Sequence, residues 1–292
     1  MFRRKGITLS DLPKYLAKGY GQGEGANYQP MIHVQDFPSL GWRHRDRGWK
    51  TGRQHDYVSN HELHYHYTLD WSGKVKDFRE QYPLLPIEKT IEIAKQCGIR
   101  HPTDRHTGEP VVMTTDFLIV LPAPVGLVMQ ARTIKPAKYL DMRRIIEKFE
   151  IERRYWLSQR VHWAIVTERE INLALANNVK WFHKFLSVSS LAPLTEEIIR
   201  EIAILLTQLV TTRKGCISNL ALVCDKELGL ETGQSLAVAR HLIASRQWQV
   251  DMTKPINPLE RIKLLDHSFS ALLKKGRSHA LPKKCIARMA DR

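Results

Sequence analysis

Residues 61–67 read HELHYHY, three histidines and one glutamate within seven positions. A zinc-protease helix sets its two histidines four apart around the glutamate. Here His61 and His64 are three apart, and His66 lies on a different face. Magnesium takes oxygen ligands in preference to imidazole. The histidines are therefore read as packing or phosphate-adjacent residues, and Glu62 as the residue that matters.

Asp116 lies inside the apolar run VVMTTDFLIV (111–120), where an unpaired carboxylate is costly to bury. Lys135 ends VGLVMQARTIK (125–135), 19 positions later. Metal-dependent phosphodiester hydrolysis needs carboxylates converging on one or two hard cations, with a basic side chain to polarise water or support the leaving oxygen. If the two runs form an antiparallel hairpin turning at 122–124, positions 116 and 135 do not pair, but both reach one end of the sheet. A strand Asp, an acid-x-Lys on the next strand and a Glu from an earlier helix make up the restriction-endonuclease-like core, with Glu62 as that earlier Glu. Each residue has a plainer alternative. Ser59-x-x-Glu62 fits a capping box, Asp116 fits a structural ion pair, and Lys135 before Pro136 fits a strand end.

Elements must bring these residues together. Residues 59–69 suit a short helix before a turn at Trp71-Ser72-Gly73, and KVKDFREQYPLLP suits a strand. The runs 111–120 and 125–135 are expected as antiparallel neighbours. A charged helix over about 138–159 has Ile145, Phe149, Ile151 and Tyr155 as inner positions. HWAIVT (162–167) is a further buried strand, and a helix comes after it through NLALANNVKWFHKFL. This order predicts an α/β domain with a mixed sheet over residues 1–188. Residues 1–58 look irregular and turn-rich.

Near residue 190 the character becomes helical, and 189–292 is expected as a second domain. Thr195 is the N-cap of one helix with acids in its first turn. CISNLALVCDKELGL is a second helix ended near Gly229, and ETGQSLAVARHLIASR a third with Leu236, Ala239, Leu242 and Ile243 on one face. RQWQVDM reads as a strand. Three helices and a strand fit a winged helix-turn-helix, which would present Arg240, His241 and Arg246, and they fit an ordinary bundle equally.

The net charge is +15, from 45 Lys and Arg against 30 Asp and Glu. That excess favours polyanions, because each cation that neutralises a phosphate releases counterions. The segment 41–55 adds Arg43, Arg45, Arg47, Lys50 and Arg53 interleaved with Trp42 and Trp49, a composition suited to the DNA backbone. A basic tail carries Lys274, Lys275, Arg277, Lys283, Lys284 and Arg288. No apolar run approaches the roughly 20 residues of a membrane span, so no membrane partner and a cytoplasmic, nucleoid-associated location are expected. Cys97, Cys216, Cys224 and Cys285 are dispersed, with no CxxC pair.

Several stretches together resemble the TnsA family, the endonuclease subunits of heteromeric bacterial cut-and-paste transposases. They are GQGEGANYQPMIHVQDFPS, GWKTGRQH, VKDFREQYPLLP, VVMTTDFLIV, TIKPA, EKFEIERRYW and TEREIN, in order over about residues 18–185. The resemblance implies cleavage of the strand bearing the transposon 5′ ends. A separate TnsB-type DDE transposase would act on the 3′ ends, and a TnsC-type ATPase would link both to target selection. It implies that Glu62, Asp116 and Lys135 are catalytic and that Glu152 is a further acid near the site. The expected cofactor is Mg2+, with Mn2+ as substitute. One departure stands out: the family has Gln-x-Lys where this chain has Thr133-Ile134-Lys135. Thr133 offers only a neutral oxygen, so a metal would lean on Asp116, Glu62 and the backbone carbonyl of Ile134. Two rival readings remain, a stand-alone nuclease and a nuclease fold retired to a DNA-binding adaptor.

Overall fold

The computed structural model describes residues 6–33 and 44–269. The chain divides into two compact units, 1–172 and 173–292. In the first, a short helix α1 (Leu12–Leu16) precedes the antiparallel strands β1 (His44–Arg47) and β2 (Gln54–Tyr57). Helix α2 (Asn60–Trp71) starts at Ser59, whose hydroxyl accepts the Glu62 amide. Next come β3 (Asp77–Pro83), α3 (Ile87–Gln96), β4 (Thr114–Pro122) and β5 (Leu127–Ile134). Helix α4 (Arg143–Ser158) and strand β6 (His162–Val166) complete the unit.

Strands β3 to β6 form one sheet in sequence order. The first three are antiparallel, and β6 joins β5 in parallel because α4 carries the chain back across the sheet. The mixed α/β expectation therefore holds. Helices cover both faces. On one, Ile93 and Ala94 of α3 and Ile151, Tyr155 and Trp156 of α4 pack with Leu118 and Ala131. On the other, Phe78 and Phe117 stack with Tyr57, His55 and the α2 rings Tyr65 and His66. Ile151 and Tyr155 are four apart, so one stripe of α4 is buried.

Three local expectations are corrected. The stretch 1–58 is not wholly irregular, since it contains α1 and the β1–β2 hairpin. Helix α3 lies between PLLP and β4, where no helix was expected. Helix α4 begins at Arg143 rather than near 138, because 137–139 form a single 3-10 turn after Pro136.

The second unit contains α5 (Leu173–Phe182), α6 (Glu196–Thr212), α7 (Ile217–Leu228) and α8 (Gln234–Ala244), then the antiparallel strands β7 (Trp248–Val250) and β8 (Leu264–His267). Thr195 caps α6 as expected, and Gly229 ends α7 in the left-handed conformation at φ 64°. The unit boundary at 172/173 differs from the expected 188/189. Helix α5 is tied to the second unit through Asn178, which donates to the carbonyl of Lys254 at 2.7 Å and accepts from the Ile256 amide at 2.7 Å. No helix among the described residues is long and apolar enough to cross a membrane.

Candidate active site

The β4–β5 ladder runs from Pro122↔Leu127 to Phe117↔Arg132 and stops there. One residue further on, the Asp116 carboxylate takes the place of a rung. Its Oδ2 accepts the Ile134 amide at 2.7 Å, and its Oδ1 accepts Nε2 of Gln81 at 3.2 Å. Thr114 in turn donates to Oε1 of Gln81 at 3.0 Å. Gln81 holds a left-handed backbone at φ 47°, rare for a non-glycine strand residue and found where structure around it over-determines the conformation. The Lys135 amide bonds Val166 on β6 at 2.9 Å. Successive strand residues turn their backbone groups to alternate sides, so the Ile134 N–H and C=O both point away from β6, toward Asp116.

Behind Asp116 lies a closed set of hydrogen bonds around Glu152 of α4, a residue 3% exposed. Its Oε1 accepts the hydroxyls of Thr115 at 2.6 Å and Thr133 at 2.5 Å. Each threonine accepts an indole N–H in its turn, Trp156 on Thr115 at 2.6 Å and Trp163 on Thr133 at 3.1 Å. Burial pushes the Glu152 carboxyl up to about 7, against the pull of the two threonines and with a further push from Asp116. Asp116, Thr133, Ile134 and Glu152 are thus gathered at one end of the sheet.

Glu62 is 6% exposed in the first turn of α2, and Ser59 caps its amide as the spacing predicted. Its carboxylate reaches the Ser59 hydroxyl, at 2.8 Å from Oε1, and the Val58 amide, at 3.3 Å from Oε2, rather than the Ser59 amide of a full capping box. Helix α2 packs on the same hairpin through Tyr65, set edge-on to Phe117 at 5.3 Å between centroids. His66 is fully buried, with Nδ1 2.7 Å from the Tyr57 hydroxyl and Nε2 3.4 Å from an Asp70 carboxylate oxygen. Lys135 comes directly after Ile134, and its Nζ lies 5.4 Å from the Tyr139 ring centre.

The residues expected to hold DNA fare differently. Arg43, Trp42 and the basic tail lie outside the described residues. Arg45 is exposed and pairs with Asp56 at 3.2 Å, and Lys50 bonds Asp70 through its amide at 3.2 Å. Arg53 must be corrected: it is 9% exposed, and its guanidinium forks onto Glu80. Although burial pushes Glu80 up, His55 and Arg53 hold its carboxyl well below the usual range. Arg53 is a buried structural cation with no face to offer DNA. Arg240 lies between Trp181 and Phe185, 4.8 and 5.2 Å from their ring centres, and burial pulls its pKa down. His241, expected to be presented beside it, is buried on the Phe185 carbonyl at 2.7 Å. Arg246 is exposed just beyond α8, with a left-handed backbone at φ 61°.

Gln81, Thr115, Trp156 and Trp163 were missed in the sequence. Gln81 and Trp156 lie inside REQYPLLP and ERRYW, the two most specific stretches of the resemblance, which was the only signal available for them.

Two family models match the chain. The model described as TnsA-like endonuclease N terminal matches residues 72–168, and the one described as TnsA endonuclease C terminal matches residues 170–252. The chain is 39% identical over 240 residues to the transposon Tn7 transposition protein TnsA of Escherichia coli, an alignment covering 80% of this chain and 83% of that one. With both family models matched in order over residues 72–252 and a relative 39% identical across most of both chains, the chain belongs to the TnsA endonuclease family.

Proposed function

We propose that the chain is the endonuclease subunit of a cut-and-paste transposase, cleaving the 5′ ends of the transposon beside a TnsB-type DDE transposase and a TnsC-type ATPase. The observation that carries this reading is the Asp116 carboxylate anchored by Gln81 and Ile134 where β4 and β5 part, with Glu152 behind it. That opened sheet end, flanked by α2 and α4, supports a restriction-endonuclease-like unit. Three helices with an antiparallel two-stranded ribbon after them support a winged-helix unit in the second half of the chain.

The donor chemistry fits a hard divalent cation, with Mg2+ as the natural choice and Mn2+ as its substitute. Carboxylate oxygens of Asp116 and Glu62 and the carbonyl of Ile134 are the oxygen ligands such ions take. Thr133 is a poorer ligand, since its hydroxyl already donates to Glu152 and accepts from Trp163. Bound there, the ion would supply Lewis-acid stabilisation for charge developing on the phosphoryl oxygens. Gln81 and Ile134 orient Asp116, and Lys135 positions the attacking water. Glu152, with a carboxyl that titrates near neutrality, assists by holding a proton behind the site.

The commitment of Thr133 favours one rival, a retired nuclease acting as a DNA-binding adaptor. Strand-specific cleavage of a labelled transposon-end duplex in magnesium separates the readings, using wild type and Asp116→Ala, alone and with both partners. Cutting of the 5′-end strand only with partners, and only with Asp116, is the expected result. Cutting by Asp116→Ala would sink the site, and no cutting in the complete complex would favour the adaptor.

A further inference from the structure

The third helix of a winged-helix unit enters the major groove, which needs a face of side chains free to reach base edges. Helix α8 has no such face. None of its residues is more than partly exposed, and Val238, Ala239, Leu242 and Ile243 are buried. Helices α5, α6 and α7 and the turn His183–Phe185 all pack against it. The ribbon after α8 is the opposite case. The stretch 251–263, which joins β7 to β8, is tied down at two points. Asn178 holds the Lys254 carbonyl and the Ile256 amide. At the start of α7, the Ile217 amide donates to the Glu260 carbonyl at 3.3 Å, and Ser218 donates its amide at 3.1 Å and its hydroxyl at 2.8 Å to the Pro258 carbonyl. Arg261 and Lys263 are thereby set against the end of α6, where they line an open cavity of about 360 Å³ with Val210, Thr211, Ile262 and Leu264. Both cations are exposed, as is Lys214 in the turn between α6 and α7. The neighbouring acid, Glu260, is turned to Asn257, whose side-chain amide it accepts at 2.8 Å. Among the described residues neither Arg261 nor Lys263 is paired with an acid. Cations held in place around an open cavity, without acids to neutralise them, are complementary to a phosphate from outside.

We propose that the second unit meets the DNA backbone through this face of the ribbon, with Arg261 and Lys263 on phosphates, and not through α8. The contact rests on the reading of the chain as a DNA endonuclease, and the net charge of +15 suits the same partner. Phosphate contacts fix where a duplex lies and carry no sequence information. The second unit would therefore hold DNA of any sequence, and the choice of sequence falls to a partner.

The test uses the full chain and labelled duplex without divalent metal, so that only binding is read. Arg261→Gln combined with Lys263→Gln should weaken binding by at least roughly tenfold. The pair should also lower the slope of log affinity against log salt by about two, equally for every duplex sequence. Arg261→Lys with Lys263→Arg, which keeps both charges, should restore the wild-type slope. Lys226→Gln, which removes an exposed cation from the last turn of α7, should change neither. In the wild type, bound duplex should slow acetylation of Lys263 but not of Lys226, a reading that needs no variant to fold. An unchanged slope, equal losses in Lys226→Gln, losses confined to one duplex sequence, or undiminished acetylation of Lys263 would overturn the contact. So would a lowered melting temperature at unchanged affinity, the sign that the two cations only offset the negative end of the α6 dipole. A changed slope in a complex that never cuts would keep the ribbon contact and count against the endonuclease reading instead.

Discussion

Glu152 shares one carboxyl oxygen between two threonines, and its proton is held to about pH 7. An unfolded glutamate titrates near 4.5. Between these values the folded chain keeps a proton that the unfolded chain has lost, so this group's contribution is full below 4.5 and is lost as pH rises through 7. In the metal-free protein the loss should be on the order of 3 kcal/mol. Glu152→Gln, which keeps the accepting oxygen but cannot ionise, should flatten that slope in urea melts compared at pH 5 and pH 8. Thr133→Val should cost about 1–3 kcal/mol, because it strips a donor from Glu152 and an acceptor from the Trp163 indole N–H; chemical denaturation measures this directly. The acids themselves were legible in the sequence. Their partners were not, because a bond from Gln81 to Asp116 depends on strand register and on a backbone reversal that no periodicity encodes.

Among the elements, the strands built on apolar runs were legible, and the two held by polar contacts were not. The run 111–120 announces β4 through its β-branched residues. The strands β1 and β2, reading HRDR and QHDY, carry no such pattern. They are secured by tertiary contacts, with Arg53 forked onto Glu80 and Thr51 2.7 Å from the far side of His55. Helix α3 follows Pro86 with no side-chain cap, so its start was marked only by the proline and by Glu88 in the first turn. Arg53→Ala should therefore destabilise by roughly 3–5 kcal/mol, leaving Glu80 a buried, half-satisfied charge. A thermal melt should show that loss before any DNA-binding defect appears. Ser59→Ala should cost about 1 kcal/mol by uncapping α2, and it should impair cleavage far less than Glu62→Gln, which separates the cap from the chemistry.

At the scale of the whole chain, composition was an effective guide to the partner but not to the division into units. A net charge of +15 points to nucleic acid whatever the fold. The unit boundary at 172/173 depends on where the polar groups of Asn178 find partners, some 74–78 positions later in the chain. Affinity for an unrelated duplex should fall about a thousandfold between roughly 50 and 200 mM salt, as expected for six or more phosphate contacts. Binding titrations across that range check this, and a flat response would assign the basic charge to another task.

Asp116 holds the end of the sheet together as well as facing the chemistry. Without its carboxylate, the Ile134 amide loses its acceptor and the Gln81 side chain loses a partner. A relative that had abandoned DNA cutting would still be penalised, in stability, for losing this acid. Its presence in some other chain is therefore a poor witness to activity, and the lysine next to Ile134 is a better one. For the same reason Asp116→Asn, whose amide oxygen can still receive the Ile134 N–H, is a cleaner silencing change than Asp116→Ala.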